Sequence, residues 1–237
     1  MNDVTEVAIV TAMNREVGSL IRGWNMILSH FGRVFEKGHV VLVTSGIGER
    51  FAADAAEKIL TFRAPEVILS VGFAGALEQS LSVGTVVVPT KVLHQESGRT
   101  FTIDRGEGTL LTASGIATIS QKKEVAARFN AQAVDMEAAA VAEVAQRRGI
   151  RFVAVKAISD DFDFPLPAMD RFVDGDGQFR AGRFVAHAAI RPRMWPVLSQ
   201  LRSNAAKASA ALCKVLGQIR SAADVDVLLD SRRAKVS

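Results

Sequence analysis

The chain has 237 residues, 49% hydrophobic and 23% charged, a balance that allows one large buried core and excludes disorder along its whole length. A single cysteine, Cys213, excludes an internal disulfide and any cysteine-pair zinc site, and it is expected to fill space on a helix. The net charge of +4 is uneven: residues 180–237 hold 11 Lys or Arg against 3 Asp, whereas residues 1–179 hold 18 basic and 22 acidic groups.

In chain order, Met1 to Glu6 carries two acids and no apolar run, so no secretory signal is expected and the protein is expected in the cytoplasm. Apolar runs elsewhere fall short of the ~20 residues of a membrane-spanning helix. Val7 to Thr11, Val40 to Thr44, Val67 to Val71, Val83 to Val88 and Phe152 to Ala157 are short, β-branched and continuously apolar, the pattern of strands covered on both faces. Glu49 to Phe62 places Phe51, Ala52, Ala55, Ala56, Ile59 and Leu60 on one stripe before a break at Ala64-Pro65, and is predicted helical. Met136 to Arg148 is rich in helix formers and stops at Gly149. Beyond Asp163 prolines and glycines punctuate the chain. Then Trp195, Leu198, Leu201, Ala205, Ala208, Leu212, Val215 and Ile219 recur at three- and four-residue steps, predicting a long amphipathic helix. The fold class expected is α/β, a mixed, mostly parallel sheet flanked by helices in one domain over residues 1–220, with 221–237 as a tail.

Ligands of open α/β sheets gather at the rim formed by the strand ends, and three segments there carry chemistry. The first is Thr11 to Glu16, where Arg15 and Glu16 follow a strand; acids also favour a helix's first turn for dipole reasons alone. The second pairs Ser45-Gly46-Ile47-Gly48 with Val71-Gly72-Phe73-Ala74-Gly75, glycine turns whose amides can approach a ligand's oxygens. Neither fits the dinucleotide fingerprint or a P-loop, which argues against a dinucleotide-binding oxidoreductase. The third is Val134-Asp135-Met136-Glu137, followed by Lys156-Ala157-Ile158-Ser159-Asp160-Asp161. Asp135 suits a helix N-cap. Glu137, at the head of an alanine-rich helix, is harder to place without a partner. His30, His39, His94 and His187 have no metal-ligand spacing and are expected in loops or on the surface. The basic C-terminal segment has no aromatic platform beside it, so no nucleic acid is expected.

The runs VAIVTAMNREVGSL, SGIGERFAADAA, ILSVGFAGAL with VGTVVVP, VDMEAAAVAEVA and VKAISDDFD, in this order over Val7 to Asp163, resemble the methylthioadenosine/S-adenosylhomocysteine nucleosidase and purine nucleoside phosphorylase family. The resemblance implies a phosphorylase-like fold and cleavage of the N-glycosidic bond of a purine nucleoside. It implies Asp160 at the purine N7 as the acid and Glu16 as the base that activates water. Glu137 would hold the ribose hydroxyls and Met136 would pack on the ribose, with Asp135, Phe73, Ala74, Gly75, Lys156 and Ser159 also lining the substrate site. Gly46 and Arg15 would face the water or phosphate. No metal or other cofactor is implied, although inorganic phosphate stays open as a co-substrate. A homodimer is expected. The segment LPAMDRFVDGDGQFRAGRFVAHAAIRPRMWPVL resembles the hopanoid-associated branch of the superfamily, which implies adenosylhopane as substrate. It also suggests a peripheral membrane contact through the basic C-terminal segment.

Two departures stand out. Lys156 occupies a position where the family commonly has Arg, and Lys lacks the planar two-pronged donor. Gly72-Phe73-Ala74-Gly75-Ala76 stands where Gly-Ser-Ala-Gly-Gly is usual, removing a hydroxyl beside the nucleophile. These leave open a phosphorolytic enzyme or a catalytically silent nucleoside-binding protein. Hydrolysis is favoured because the Glu16 carboxylate repels phosphate and can deprotonate water.

Overall fold

A computed structural model describes residues 5–29, 32–115, 119–165, 180 and 195–233. The strands are β1 (Val7–Thr11), β2 (Asn25–Ser29), β3 (Gly32–Lys37), β4 (Val40–Thr44), β5 (Val67–Ala76), β6 (Val86–Val87), β7 (Lys91–His94), β8 (Thr100–Thr102), β9 (Thr109–Thr112), β10 (Ala133–Asp135) and β11 (Arg151–Asp160). The helices are α1 (Asn14–Val17), α2 (Glu49–Phe62), α3 (Ile119–Phe129), α4 (Ala138–Arg148), α5 (Trp195–Leu216) and α6 (Ala222–Arg233).

The strands form one mixed sheet in the order β2-β3-β4-β1-β5-β10-β9-β7-β8, with β11 beside β5 and β6 beside β11. Its long central pairings are parallel: Val7 stands opposite both Val40 and Val67, and β11 follows β5 from Arg151 opposite Val67 onward. Antiparallel pairs are the hairpins β2–β3, β3–β4 and β7–β8 and the two-residue contacts of β10 with β5 and β6 with β11.

Alternate residues of the central strands serve opposite layers, as a sheet covered on both faces requires. Val7, Ile9, Leu69 and Val155 face a cluster with Ala208, Leu212 and Leu216 of α5 and Val225, Leu228 and Leu229 of α6. Ala8, Val10, Val41 and Ile68 face Ala52, Ala56 and Ile59 of α2 and Val141 and Val144 of α4. The continuous apolar runs in the sequence are therefore buried strands.

Two expectations change. The strand foreseen over Val83 to Val88 contracts to Val86–Val87, because Gly84 takes φ +92° in a turn closed by the Thr85 amide on the Ser82 carbonyl. The tail foreseen from residue 221 is a helix over Ala222–Arg233, docked through Val225, Leu228 and Leu229. Its Ala222 amide is held by Glu6 Oε2 at 3.0 Å. The segment that resembles the hopanoid-associated branch lies almost wholly outside the described residues.

One irregularity positions chemistry. A bulge between Ile158 and Asp160 shifts the register of β11 so that Asp160, rather than Ser159, stands opposite Gly75. Bulges re-aim side chains in this way at sheet rims.

Candidate active site

Glu16 is 2% exposed although it sits on a single helical turn. Its Oε2 accepts from the Thr11 hydroxyl at 2.7 Å and the Met13 amide at 3.0 Å, and its Oε1 accepts from the Phe73 amide at 3.2 Å. The Met13 bond is a capping bond that a first-turn glutamate makes on any helix. The other two come from β1 and β5, so two strand ends fix the carboxylate. From behind, Ser209 Oγ of α5 donates to the Glu16 carbonyl at 3.0 Å.

Gly72 to Gly75 forms the floor. A Cβ on Gly72 would lie 3.2 Å from Glu16 Oε1, and one on Gly75 would lie 2.9 Å from Asp160 Oδ2. Glu16 and Asp160 thus approach the two ends of one four-residue run, roughly 10 Å apart along an extended strand.

Asp160 is 5% exposed. Its Oδ1 accepts from Ser159 Oγ at 2.9 Å, and its Oδ2 is ion-paired with Lys122 of α3. Ser159 also donates to the Ala74 carbonyl at 3.4 Å. Lys122 is 1% exposed and donates to the Asp161 carbonyl at 2.8 Å as well. The sequence reading missed Lys122: Ser120-Gln121-Lys122-Lys123-Glu124 looks like a solvated stretch and carries no signal for burial.

Glu137 stands partly buried at the start of α4, and its Oε1 accepts from the Gly48 amide at 2.9 Å. Burial pushes its carboxyl up to about 7; Lys156 opposes the rise while the charges of Asp135 and Glu16 add to it. Met136 is partly buried beside it. Lys156 is buried against Asp135 Oδ2 at 2.8 Å. Burial alone would lower the Lys156 ammonium, but the carboxylates of Asp135, Glu137 and Glu16 outweigh it and the net direction is up.

Several expected ligand contacts are reassigned. Asp135 is fully engaged with protein, accepting from Thr112 Oγ1 at 2.7 Å, the Ala138 amide at 2.9 Å and Lys156. It holds the first amide of α4, whose N-cap position is taken by Glu137, and is the counterion of Lys156, so it acts on the site through them. The Gly46 amide donates to the Ala12 carbonyl at 3.0 Å, which removes it as a phosphate donor, and the Gly48 amide is taken by Glu137. Arg15 is exposed on α1 beside Glu16. Phe73 presents its backbone to Glu16 while its ring packs on the core.

Of the histidines, His39 lies in an exposed turn, whereas His94 ends β7, where its Nε2 lies 3.0 Å from Glu49 Oε2. That corrects a loop or surface placement for His94. Burial raises the Glu49 carboxyl, and His94 counters part of the rise. His30 and His187 lie outside the described residues. Among the described residues no cluster of three or more His, Cys, Asp or Glu is arranged to hold a metal.

The family model of the Phosphorylase superfamily matches residues 3–117 and 103–189. The chain belongs to this superfamily. It is 30% identical over 158 residues to a 5′-methylthioadenosine/S-adenosylhomocysteine nucleosidase of Glaesserella parasuis, covering 52% of this chain and 69% of that protein. To the Staphylococcus epidermidis nucleosidase of the same name it is 27% identical over 196 residues, covering 65% of this chain and 86% of the relative. In fold it is similar to the Helicobacter pylori methylthioadenosine/S-adenosylhomocysteine nucleosidase, with a TM-score of 0.68 at 16% identity over 97% of this chain and 100% of the other. Futalosine hydrolase of Helicobacter pylori also gives 0.68 at 16% identity, over 96% and 98%. The curated relatives are nucleosidases, and this superfamily member is an enzyme of that N-glycosidase class.

Proposed function

We propose that the chain hydrolyses the N-glycosidic bond of an adenine nucleoside. Glu16 takes a proton from the attacking water, Glu137 holds the ribose hydroxyls and favours the positive charge that develops on the sugar, and Asp160 passes a proton to the purine N7. The observation that carries this reading is the four-residue run Gly72 to Gly75, which has Glu16 against one end and Asp160 against the other. Water is favoured over phosphate for three reasons. The Gly46 and Gly48 amides are engaged elsewhere. Lys156 is bound to Asp135. The remaining field, from Glu16, Glu137 and Asp135 around one lysine, repels an anion.

For the 5′ group we favour adenosylhopane, on the resemblance of residues 166–198 to the hopanoid-associated branch, with the enzyme acting as a cytoplasmic homodimer. No cofactor is part of the reaction. The test is to incubate the protein with methylthioadenosine, S-adenosylhomocysteine, adenosine and adenosylhopane, with and without phosphate, and follow free adenine. Adenine released without phosphate, fastest from adenosylhopane, is expected. Release only with phosphate overturns hydrolysis, and slow turnover of adenosylhopane beside fast methylthioadenosine overturns the specificity. Asp160→Asn is expected to lower kcat by about 100-fold or more and, because it strips the buried Lys122 ammonium of its counterion, to lower the melting temperature as well; a wild-type rate from the folded variant removes Asp160 from the acid role.

A further inference from the structure

Lys122 is one of two lysines that rank among the largest fully buried side chains, and it comes from α3, away from the strand ends that carry the other site residues. Lys156, the second, is answered by Asp135 on the same side of the site. Lys122 is answered by Asp160, the acid at the purine end, through Oδ2. A buried ion pair gains a protein little stability over apolar side chains of the same volume, so folding alone gives no reason for an ammonium here.

The chemistry of the leaving group gives one. Ion-paired with the Lys122 ammonium, Asp160 is the anionic partner, and as a carboxylate it can accept from a purine but has no proton to give. With Ser159 on Oδ1 and Lys122 on Oδ2, the nearest proton that can reach Asp160 from a titratable donor is on the Lys122 ammonium. We propose that Lys122 is the proton reservoir of the nucleosidase reaction, acting on the substrate only through Asp160. This rests on the hydrolytic reading above.

In the step, a Lys122 Nζ–H bond breaks and its proton passes to the Asp160 carboxylate. The resulting carboxyl gives a proton to N7 while the bond from the anomeric carbon to N9 breaks and its electron pair goes to the purine. Water adds to the anomeric carbon and loses a proton to Glu16. The enzyme is left with a neutral Lys122 and a protonated Glu16, and bulk water restores both.

Arginine separates this role from that of a fixed positive charge. It keeps the ion pair but does not deprotonate in proteins. Lys122→Met and Lys122→Arg are to be assayed for kcat and KM with methylthioadenosine and with 4-nitrophenyl riboside, whose phenolate departs without a proton. Both variants are expected to lose about 100-fold or more of kcat on methylthioadenosine at little change in KM, and to keep 4-nitrophenyl riboside turnover within a few-fold. Lys122→Arg at the wild-type rate on methylthioadenosine, or equal losses on both substrates, overturns the reservoir and leaves a structural ion pair. Should Lys122→Met fail to fold, Lys122→Arg decides alone. If the wild-type protein releases no adenine, it is the nucleosidase reading that has failed, whatever the variants do.

Discussion

In the proposed site Glu137 accepts from two ribose hydroxyls best as a carboxylate, when neither oxygen carries a proton of its own, yet burial holds its carboxyl near 7. Because this value lies above that of an unfolded glutamate, Glu137 favours the folded state most below the ordinary carboxylate range. That contribution is lost as pH rises through about 7. Substrate binding runs the other way, since it selects the ionised form. KM for methylthioadenosine is therefore expected to fall as pH rises from 5 to 7, by up to about tenfold per unit, and to level off above. In Glu137→Gln the slope should vanish with KM uniformly high; a slope that survives assigns the titration to another group. Glu137 and Asp160 stood out in the sequence, one at the head of an alanine-rich helix and the other closing a strand, whereas Glu16 reads as an ordinary first-turn acid and drew its role only from the family resemblance. Asp135 was half legible. Its capping role is local and readable, whereas its ion pair with Lys156 crosses from β10 to β11 and becomes visible only when β5 brings the two together. Lys122 was not legible, because its burial depends on where α3 lies and not on its neighbours in sequence.

β1, β4 and α2 have the bounds the sequence predicts because each is a continuous apolar run or stripe with a break on both sides. β7, β8, β9 and β10 are three or four residues long, too short for any period to show, and they form by pairing with one another, with β10 joining the set to the long strand β5. The turn that joins β8 to β9 shows how tightly this edge is set. Gly106 has φ +136°, and a Cβ there would fall against the Val88 carbonyl and within 2.9 Å of the Pro89 carbonyl oxygen. Gly106→Ala is expected to cost about 1–3 kcal/mol, a fall in Tm of several degrees for a chain of this size, read by thermal melting; a melt that matches wild type shows that the turn relaxes without strain. α6 was misjudged because its apolar residues alternate with acids and it follows the break from Gly217 to Ser221. Leu229 is 4% exposed, so Leu229→Ala is expected to destabilise by about 2–5 kcal/mol. A change below about 0.5 kcal/mol, the range of ordinary surface substitutions, would mean that α6 is not docked in solution.

At the scale of the whole molecule the acidic rim and the basic C-terminal quarter, residues 180–237, face different tasks. α5 has the spacing of an amphipathic helix that lies on a membrane, but the structure turns its stripe of Ala208, Leu212 and Leu216 onto β11 and β5 and uses Ser209 to brace Glu16. Among the described residues no helix is long and apolar enough to cross a bilayer. What α5 and its neighbour leave outside is charge, with Arg202, Lys207, Lys214 and Arg220 all exposed, along with Trp195 at 55%. Contact with a lipid surface is therefore expected to be electrostatic, since insertion would pull α5 off the sheet and remove the Ser209 brace behind Glu16. Vesicles containing anionic lipid should co-sediment with the protein at low salt and lose it at about 0.5 M salt, where screening shortens the reach of each charge to a few ångströms. Sedimentation that persists at high salt would mean that an apolar element inserts, and adenine release measured in the same tubes would show whether the site survives that insertion. Protein left in the supernatant at low salt as well would end the membrane contact, and with it the physical case that the basic quarter delivers the site to a lipid-borne nucleoside.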